Sequence, residues 1–345
     1  LLQFIPWYRM VAAMWRSGHL PSCIPLVGCG APLAANYQAA AFYPLNALVL
    51  ILPAEVALSW TTVLHLVLAG WGAYRWTRAT GRDEFPATVA ALACSGSGFL
   101  VARAALFPSI AFTFPWIAIW LWRAELLLQR RSVHDALWLG AALGLGLLAG
   151  HAQTAFYGGL LLVAYVVFRM GQIYWMEAEG RDLSLVGRHG LLFAFAGAVG
   201  LGLAAVQLLP TAELVLNSQR STGVPYEFAM TYSLWPWRLL TLFAPDLFGN
   251  PGHGDYWGYA TYWEDAAYVG ILPLLLAFHA VWARRRETGQ GSDVSRSSIT
   301  FWLVVCVVAF VLALGNNTPV FPFLYRHVPF FDWFQAPARW LLVVT

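Results

Sequence analysis

His151 and Gln153 are polar side chains set between two apolar runs, in the stretch GHAQTAFYGG at residues 150–159. A neutral histidine and a glutamine amide can each donate and accept hydrogen bonds. Gln207 and Glu213 follow the end of another long apolar run. We expect these four side chains to line one polar cavity. The alternative is a turn whose polar groups meet only water or lipid headgroups.

Residues 210–267 carry many of the remaining charged side chains. Glu213 and Arg220 could pair with each other and order this segment, or each could contact a substrate directly. Glu264 and Asp265 are adjacent carboxylates that could bind a divalent metal ion, act as a general base or form a solvated edge. The solvated edge is the default expectation. The aromatic residues of the segment suit an interfacial belt or stacking against a ligand ring.

Residues 1–55 supply further hydrogen-bonding groups at Asn36, Tyr37 and Gln38. Residues 4–15 have the apolar and aromatic content of a helix that lies along a membrane surface. The Pro- and Gly-rich passage that follows cannot form a regular helix. We therefore expect an interfacial helix followed by an irregular polar segment.

Signatures of soluble enzymes are missing from the sequence. It has no P-loop, no HExxH zinc helix and no GxSxG nucleophile turn, so no cofactor is predicted from a motif. Cys94 and Cys306 lie within apolar runs and are expected to be inert. Cys23 and Cys29 share the first segment, where a disulfide could form in an oxidising compartment.

The composition places these residues in a membrane protein. Of 345 residues, 59% are hydrophobic and only 11% are charged, whereas a soluble domain carries about 25% charged residues. A chain this apolar would expose large adhesive patches in water, so we expect it in a lipid bilayer. Its net charge of +3 is small, and the arginines are scattered through short loops, which argues against a nucleic-acid partner.

The apolar runs predict an all-α, polytopic membrane protein with about eight transmembrane helices, forming a single transmembrane domain over residues 1–345. A spanning helix needs about 20 mostly apolar residues. The predicted spans are Val56–Trp76, Ala87–Val101, Ile110–Trp122, Ala136–Leu148, Thr154–Phe168, Leu191–Leu209, Tyr268–Trp282 and Ile299–Leu314, with another starting near Trp340.

The arginines predict the orientation of the chain, because cytoplasmic loops are enriched in Arg. Most arginines follow the first, third, fifth and seventh spans, among them Arg181 and Arg284 to Arg286. These four loops are assigned to the cytoplasm. The remaining loops are then expected to face outward: residues 1–55, the link near Arg103, the link at Gly150, residues 210–267 and residues 315–339.

Seven short motifs occur in order along nearly the whole chain: PW at 6–7, GHLP at 18–21, GCGAPLAANYQAAAFYPLNAL at 28–48, GHAQTAFY at 150–157, QLLPTAEL followed by SQR within 207–220, YVGILPLLLA at 268–277 and QAPARWLL at 335–342. On these motifs the sequence resembles the YfhO-like family of bacterial membrane proteins, within or near the C-type glycosyltransferase superfamily. It departs from that family at Ser22–Cys23, where members often carry Trp-Asn.

Members of that superfamily transfer a sugar from a polyprenyl-phosphate donor to an acceptor on the outer face of the membrane. The resemblance implies a catalytic acid in the first outward segment, yet no acid occurs from Leu1 to Ala54. We therefore expect that acid to lie upstream of Leu1, in a chain cut at both ends.

The resemblance also implies roles for charged residues of the outward segments. Arginine can bind phosphate oxygens bidentately, so Arg220 and Arg339 are candidates for the lipid phosphate. Glu213, Glu264 and Asp265 are candidates for contacts with the acceptor, for catalysis or for a divalent metal. The implied partners are a polyprenyl-phosphate-linked sugar, membrane lipids and an envelope polymer or protein acceptor, at a bacterial inner (cytoplasmic) membrane.

A transporter or flippase for a lipid-linked or envelope substrate is the alternative, and a membrane scaffold without catalysis is a third hypothesis. Many spans and the intramembrane residues His65 and His279 would suit a transporter. Two observations argue against it. The sequence has no paired broken helices in two matching halves, and its polar residues gather on one side of the membrane.

Overall fold

The computed structural model describes residues 3–25, 30–104, 106–174, 183–259, 262–283 and 292–345. Across these ranges the chain is almost entirely helical, and the only strands are a short antiparallel pair, Cys23–Ile24 with Ala31–Pro32. The all-α prediction is therefore confirmed. Other sequence-based expectations concern residues outside the described ranges: Cys29, Arg181 and Arg284 to Arg286.

The described residues form α-helices joined by turns and short 3-10 helices. The α-helices are α1 Phe4–Arg16, α2 Ala54–Ala79, α3 Glu84–Ser95, α4 Gly98–Ala104, α5 Pro108–Arg130, α6 Val133–Leu148, α7 Ala152–Gln172, α8 Leu183–Leu216, α9 Tyr226–Ala229, α10 Ile271–Ala283, α11 Ser292–Ala313 and α12 Val320–His327. The 3-10 helices are Tyr37–Ala39, Pro44–Leu50, Pro236–Leu242, Gly315–Asn317, Phe331–Trp333 and Pro337–Val343.

Five helices of the described chain, α2, α5, α7, α8 and α11, are long and apolar enough to cross a membrane. Helices α3 and α4 bend by 41° at the break between them and count as a sixth span if they are taken together. Helices α6 and α10 are apolar but shorter. Each of the eight delimited runs thus coincides with a helix or with the bent pair. By length, however, five or six of them qualify as spans rather than eight.

Two predicted boundaries differ from the structure. Helix α8 continues through Pro210 to Leu216, so the loop expected from residue 210 begins after Leu216. Proline is tolerated inside apolar membrane helices because neighbouring groups satisfy the carbonyl that it leaves unpaired. The run expected to start a span near Trp340 forms the 3-10 helix Pro337–Val343 instead.

One compact unit comprises Leu1–Ala91, Arg103–Leu162 and Ser184–Ser221. Helix α5 is its most enclosed helix among the candidate spans, because 89% of its most apolar 18-residue stretch is buried. It packs against α2 and α6. Glycines let α6 and α8 approach closely: a Cβ on Gly140 would lie 2.7 Å from the Cβ of Val199. Small residues therefore set the helix spacing in this unit.

Helix α1 of this unit confirms the helix predicted over residues 4–15. Its buried side chains recur every three or four positions, so one face packs inward and the opposite face carries Arg9 and Arg16. This periodicity is typical of an amphipathic helix. The buried residues are Phe4, Tyr8, Val11 and Ala12.

The other compact unit comprises Leu92–Ala102, Val163–Leu183 and Thr222–Thr345. Helix α11 packs against the 3-10 helix Pro337–Val343. The peptide segment before Pro236–Leu242 is tied to α11, because the Leu234 amide donates to the Ala313 carbonyl at 2.9 Å. These ties bring two 3-10 helices into one unit with the loop that carries Glu264 and Asp265.

Candidate functional site

Glu264 and Asp265 are buried, with 2% and 4% of their surfaces exposed, so the expectation of a solvated edge is wrong. Each carboxylate pairs with an arginine of the same unit: Glu264 with Arg339, and Asp265 with Arg238. A buried charge is tolerated when it is paired and hydrogen-bonded, which explains how two consecutive carboxylates can leave water. Three predicted site residues therefore come together, and Arg238 joins them.

The Glu264–Arg339 pair is bidentate. Arg339 donates from Nε to Oε2 at 3.0 Å and from Nη2 to Oε1 at 2.7 Å. This fork is the strong geometry for a guanidinium and a carboxylate. The edge of Arg339 that was expected to hold a phosphate is thus occupied by Glu264. Both carboxylate oxygens are engaged by Arg339, so this pair holds the Glu264 side chain in one orientation.

Arg339 is held by the short helix Pro337–Val343, which is almost wholly buried. Proline at its start lacks an N–H and has a φ suited to helix entry, so a short helix can begin there. The Ala338 amide donates to the Tyr232 carbonyl at 3.2 Å. This bond anchors the start of the helix and fixes the direction from which Arg339 reaches Glu264.

Arg238 lies on the 3-10 helix Pro236–Leu242 and is also buried. Its Nε donates to Asp265 Oδ2 at 2.8 Å, and its guanidinium carbon lies 4.6 Å from the ring centroid of Phe248. The ring face attracts the cation, so Phe248 and Asp265 together hold the guanidinium in place. Thr241 donates its hydroxyl to the Arg238 carbonyl at 2.6 Å and steadies the same turn.

The Nη1 of Arg238 is enclosed by the loop at Gly258. Nη1 is buried, and among the residues that the structure describes no acceptor lies in hydrogen-bonding geometry with it. A Cβ on Gly258 would lie 2.7 Å from Nη1 and 2.6 Å from the Tyr256 hydroxyl. This nitrogen is therefore covered by protein on the side of the Gly258 loop.

A cavity of about 210 Å³ adjoins this arginine. Tyr262 borders it and donates its hydroxyl to Asp246 at 2.8 Å. The pKa of Tyr262 is raised to about 12, first by burial and then by the hydrogen bond to Asp246, so the phenol is neutral at physiological pH. The polar lining residues are Arg238, Thr241, Tyr262 and Asp265, and the others are Gly98, Val101, Ala102, Pro245, Ala266, Ala267 and Tyr268.

His151 and Gln153 lie in the other unit and are buried. The His151 Nδ1 accepts the Thr154 amide at 3.1 Å, and its own amide donates to the Thr113 hydroxyl at 3.2 Å. His151 thus caps the start of α7, and a neutral ring carries its proton on Nε2. Gln153 donates its side-chain amide to the Tyr157 hydroxyl at 2.9 Å. The side chains are enclosed by protein, unlike those of a turn that meets water.

Residues 34–40 lie beside the turn at Gly150. The Tyr37 hydroxyl donates to the Leu147 carbonyl, and a Cβ on Gly150 would lie 3.0 Å from the Cβ of Ala40. Gly150 therefore permits the close approach expected of it. Gly159 does not, since a Cβ there would meet nothing within 4 Å.

Asn36 and Gln38 take different positions in this segment. The Asn36 side chain accepts the Gln38 amide at 3.2 Å and thereby caps the 3-10 helix Tyr37–Ala39. The Gln38 side chain is exposed. Asn36 and Tyr37 thus hold the conformation of the segment through their hydrogen bonds, while the Gln38 side chain is exposed on its surface.

Gln207 connects α8 to the same segment. Its Nε2 donates to the Ala34 carbonyl at 2.7 Å and to the Thr211 hydroxyl at 3.0 Å, and Thr211 donates to the Ala35 carbonyl at 3.0 Å. Its Oε1 is buried and has no hydrogen-bond partner within the described ranges. Segment 34–40 therefore contacts both the turn before His151 and the end of α8.

Glu213 and Arg220 are both exposed, and in the described part of the chain they form no salt bridge with each other. The expected local ion pair is therefore not formed. Glu213 lies in the last turn of α8, where its carbonyl accepts the Asn217 amide at 3.1 Å. Arg220 follows the helix, and its guanidinium is available to a ligand at the surface.

The carboxylates do not assemble a metal site in the described part of the chain. Within it, no group of three His, Cys, Asp or Glu side chains could hold a metal ion. Glu264 and Asp265 instead use their oxygens on arginines. The structure therefore assigns these carboxylates to ion pairs.

Arg238, Tyr262 and Asp246 were not selected from the sequence as site residues. Their sequence signal is weak, because each lies in a loop rich in aromatic and charged residues, where no spacing distinguishes one arginine from another.

Comparison of the chain with protein-family models, with curated proteins and with solved structures gives no match.

Proposed function

We propose that this protein is a membrane glycosyltransferase. It would move a sugar from a polyprenyl-phosphate donor to a cell-envelope acceptor on the outer face of the bacterial cytoplasmic membrane. The motifs that resemble the YfhO-like family support this proposal, and so do apolar helices long enough to hold a lipid-linked substrate.

The observation that carries the proposal is the cavity beside the Arg238–Asp265 pair. Its lining combines an arginine, a carboxylate and two hydroxyl groups, inside a protein made largely of apolar helices. A substrate for such a cavity would combine a polar group, which the lining binds, with an apolar chain that stays in the membrane. A sugar on a polyprenyl phosphate combines these two groups.

In the reaction, an acceptor hydroxyl attacks the anomeric carbon of the donor sugar, and the bond from that carbon to the phosphate oxygen breaks. A carboxylate takes the hydroxyl proton, and the polyprenyl phosphate leaves with the electron pair. Arg238 and Asp265 would orient sugar hydroxyls at the cavity. Glu264, held by Arg339, would keep the loop that carries Asp265 in place.

Arg220 lies in the unit that contains α8, and we propose it separately, independently of the cavity, as a contact for a lipid phosphate. Its guanidinium is exposed and unpaired in the described structure, and arginine matches phosphate oxygens with two parallel N–H groups. His151, Gln153 and Gln207 lie in the same unit as Arg220 and are proposed to hold further polar groups of the substrate.

The test is sugar transfer by the purified full-length protein in liposomes that contain a radiolabelled polyprenyl-phosphate sugar and extracted cell-envelope material. We expect label to move from the lipid to the acceptor. Arg220→Ala should slow this transfer at least tenfold, and Arg82→Ala, which removes an exposed arginine from a predicted cytoplasmic loop, should not. Absence of transfer with every donor sugar tried, from folded protein, would refute the proposal.

A transporter or flippase for the same class of lipid is the second candidate, and the break between α3 and α4 favours it. Broken helices line substrate paths in transporters because their free backbone groups can face a polar ligand. The liposome assay separates the two activities. A flippase would carry the labelled lipid across the bilayer while the sugar stays attached, and a transferase would release the sugar from the lipid.

A further inference from the structure

The charges that border the cavity already cancel. Arg238 is the cation in its lining and Asp265 the anion, and the two are joined at 2.8 Å. A phosphate or carboxylate entering here would meet a guanidinium whose charge is offset and would lie close to a carboxylate of its own sign. Repulsion between like charges is strong where little water screens it. The charge balance favours an uncharged ligand.

The hydrogen-bonding groups of the lining suit hydroxyls. The hydroxyl oxygens of Thr241 and Tyr262 donate elsewhere, and each retains lone pairs that can accept. A hydroxyl group of a ligand can donate to these oxygens, so a ligand that carries several hydroxyls suits them. The anionic oxygens of a phosphate or a carboxylate can only accept.

The cavity is also small and has apolar walls. Its volume of about 210 Å³ lies below the roughly 300–1,000 Å³ of pockets for drug-sized molecules. Val101, Ala102 and Tyr268 supply apolar surface beside the polar residues of the lining. A pyranose ring has this division, with C–H groups on its faces and hydroxyls around its edge.

We propose that this cavity binds one uncharged pyranose ring of the substrate and discriminates against phosphate and uronic acids. The proposal rests on the proposed function and adds to it the charge class of the sugar. The ring could belong to the lipid-linked donor or to the acceptor, since both present the same hydroxyl chemistry.

Saturation-transfer NMR on the purified full-length protein in nanodiscs tests this directly. The probes are methyl β-D-glucopyranoside, methyl β-D-glucuronide and inorganic phosphate. We expect the neutral glycoside to bind at least tenfold more tightly than either anion. Ala102→Leu fills the cavity while leaving both ion pairs intact, and it should weaken glycoside binding at least tenfold. Ala93→Leu, a substitution at a half-buried alanine outside the cavity lining, should not.

Equal binding of the glucuronide, or glycoside binding that Ala102→Leu leaves unchanged, would overturn the proposal. These outcomes are separable from those of the transfer assay. Binding of the neutral ring without any sugar transfer would refute the glycosyltransferase and leave the cavity assignment standing. Sugar transfer together with glycoside binding that Ala102→Leu does not weaken would support the glycosyltransferase and refute the cavity assignment.

Inhibition kinetics identify the source of the ring. A neutral glycoside that competes with the polyprenyl-phosphate sugar assigns the cavity to the donor, and one that competes with the acceptor assigns it to the acceptor. Inhibition that is competitive with neither substrate contradicts the proposal.

Discussion

Arg339 binds both carboxylate oxygens of Glu264, although 75 residues separate them in the sequence. The neighbouring Asp265 binds Arg238, 27 residues before it. One dipeptide therefore holds two separate 3-10 helices through side chains on consecutive residues. The position of the cavity depends on both pairs, because Arg238 and Asp265 form part of its wall.

Removing one member of the Glu264–Arg339 pair should destabilise the protein strongly. We expect Arg339→Ala to lower the free energy of unfolding by about 3–5 kcal/mol, because it leaves a buried carboxylate without its partner. Thermal unfolding in detergent would measure this. The double variant Glu264→Leu, Arg339→Met should be more stable than the single variant, since no charge is left buried.

The control for this prediction is the pair between Arg9 and Glu55, whose side chains are 66% and 42% exposed. Arg9→Ala should cost only about 0–1 kcal/mol, because water screens an exposed pair. Equal losses from Arg9→Ala and Arg339→Ala would contradict the role assigned to burial.

Gly258→Ala should impair sugar transfer by displacing Arg238. The added Cβ would lie 2.7 Å from Arg238 Nη1 and 2.6 Å from the Tyr256 hydroxyl, so the guanidinium must move. If this displaces the Arg238–Asp265 pair that borders the cavity, the expected decrease in transfer is about 10–100-fold, which corresponds to about 1.5–3 kcal/mol. Gly252→Ala is the control, since the only contact there is the side-chain oxygen of the half-buried Asn250 at 3.2 Å. Unchanged sugar transfer by Gly258→Ala would show that Arg238 is not part of the site.

Two substitutions at His151 should separate its structural role from its role in substrate binding. His151→Asn keeps an oxygen that can accept the Thr154 amide, so the cap of α7 survives while the Nε2 donor is lost. We expect this variant to unfold near the wild-type temperature and to transfer sugar slowly. His151→Ala should lose both properties, with about 0.5–2 kcal/mol of stability lost with the cap.

Normal sugar transfer by the double variant His151→Asn, Gln153→Ala would show that both residues have only a structural role. Circular dichroism melts run beside the transfer assay would show whether a slow variant is merely unfolded.

The stability of the protein should fall between pH 10 and pH 12, and Tyr262 should contribute to that fall. Its pKa is raised from 10.0 to about 12. A raised pKa means that folding favours the protonated phenol, so the contribution is complete below pH 10 and is lost as the pH rises through about 12. Tyr262→Phe should show a smaller fall in melting temperature over this range than the wild type. The exposed Tyr259→Phe is the matched control and should behave like the wild type.

The orientation of the chain can be tested by cysteine labelling in intact cells, in a variant without native cysteines. Gly81 follows the first predicted span, and Asp255 lies in the long loop expected outside. Both are exposed in the structure. A membrane-impermeant maleimide should label Asp255→Cys and spare Gly81→Cys. Labelling at Gly81→Cys alone would show that the chain has the opposite orientation to the one predicted.

The positions of the helices could be predicted from the sequence because apolar runs are a local signal. The run Leu191–Leu209 marks α8, and the residues at 4–15 mark α1. The end of α8 could not be predicted in the same way, because Pro210 normally argues against a continuing helix. Whether that proline is tolerated depends on neighbours that are distant in the sequence.

The candidate site was only partly predictable for the same reason. Adjacent acids at Glu264 and Asp265 stand out in the sequence, but their burial depends on Arg238 and Arg339, and no local pattern selects those two arginines. Gln207 likewise donates to the Ala34 carbonyl across 173 residues. Residue type identified candidates, whereas the partners that decide their chemistry came from the fold.

The separation between Glu264 and Arg339 also has a consequence for biosynthesis. At roughly 5–20 residues per second, a ribosome adds the intervening 75 residues in roughly 4–15 s. During that interval Glu264 exists in the nascent chain while its arginine has not yet been made, and α10 and α11 are synthesised in between. The carboxylate must therefore remain without this partner until then. Burial of this dipeptide is a late step, completed only after the last described segment of the chain has emerged.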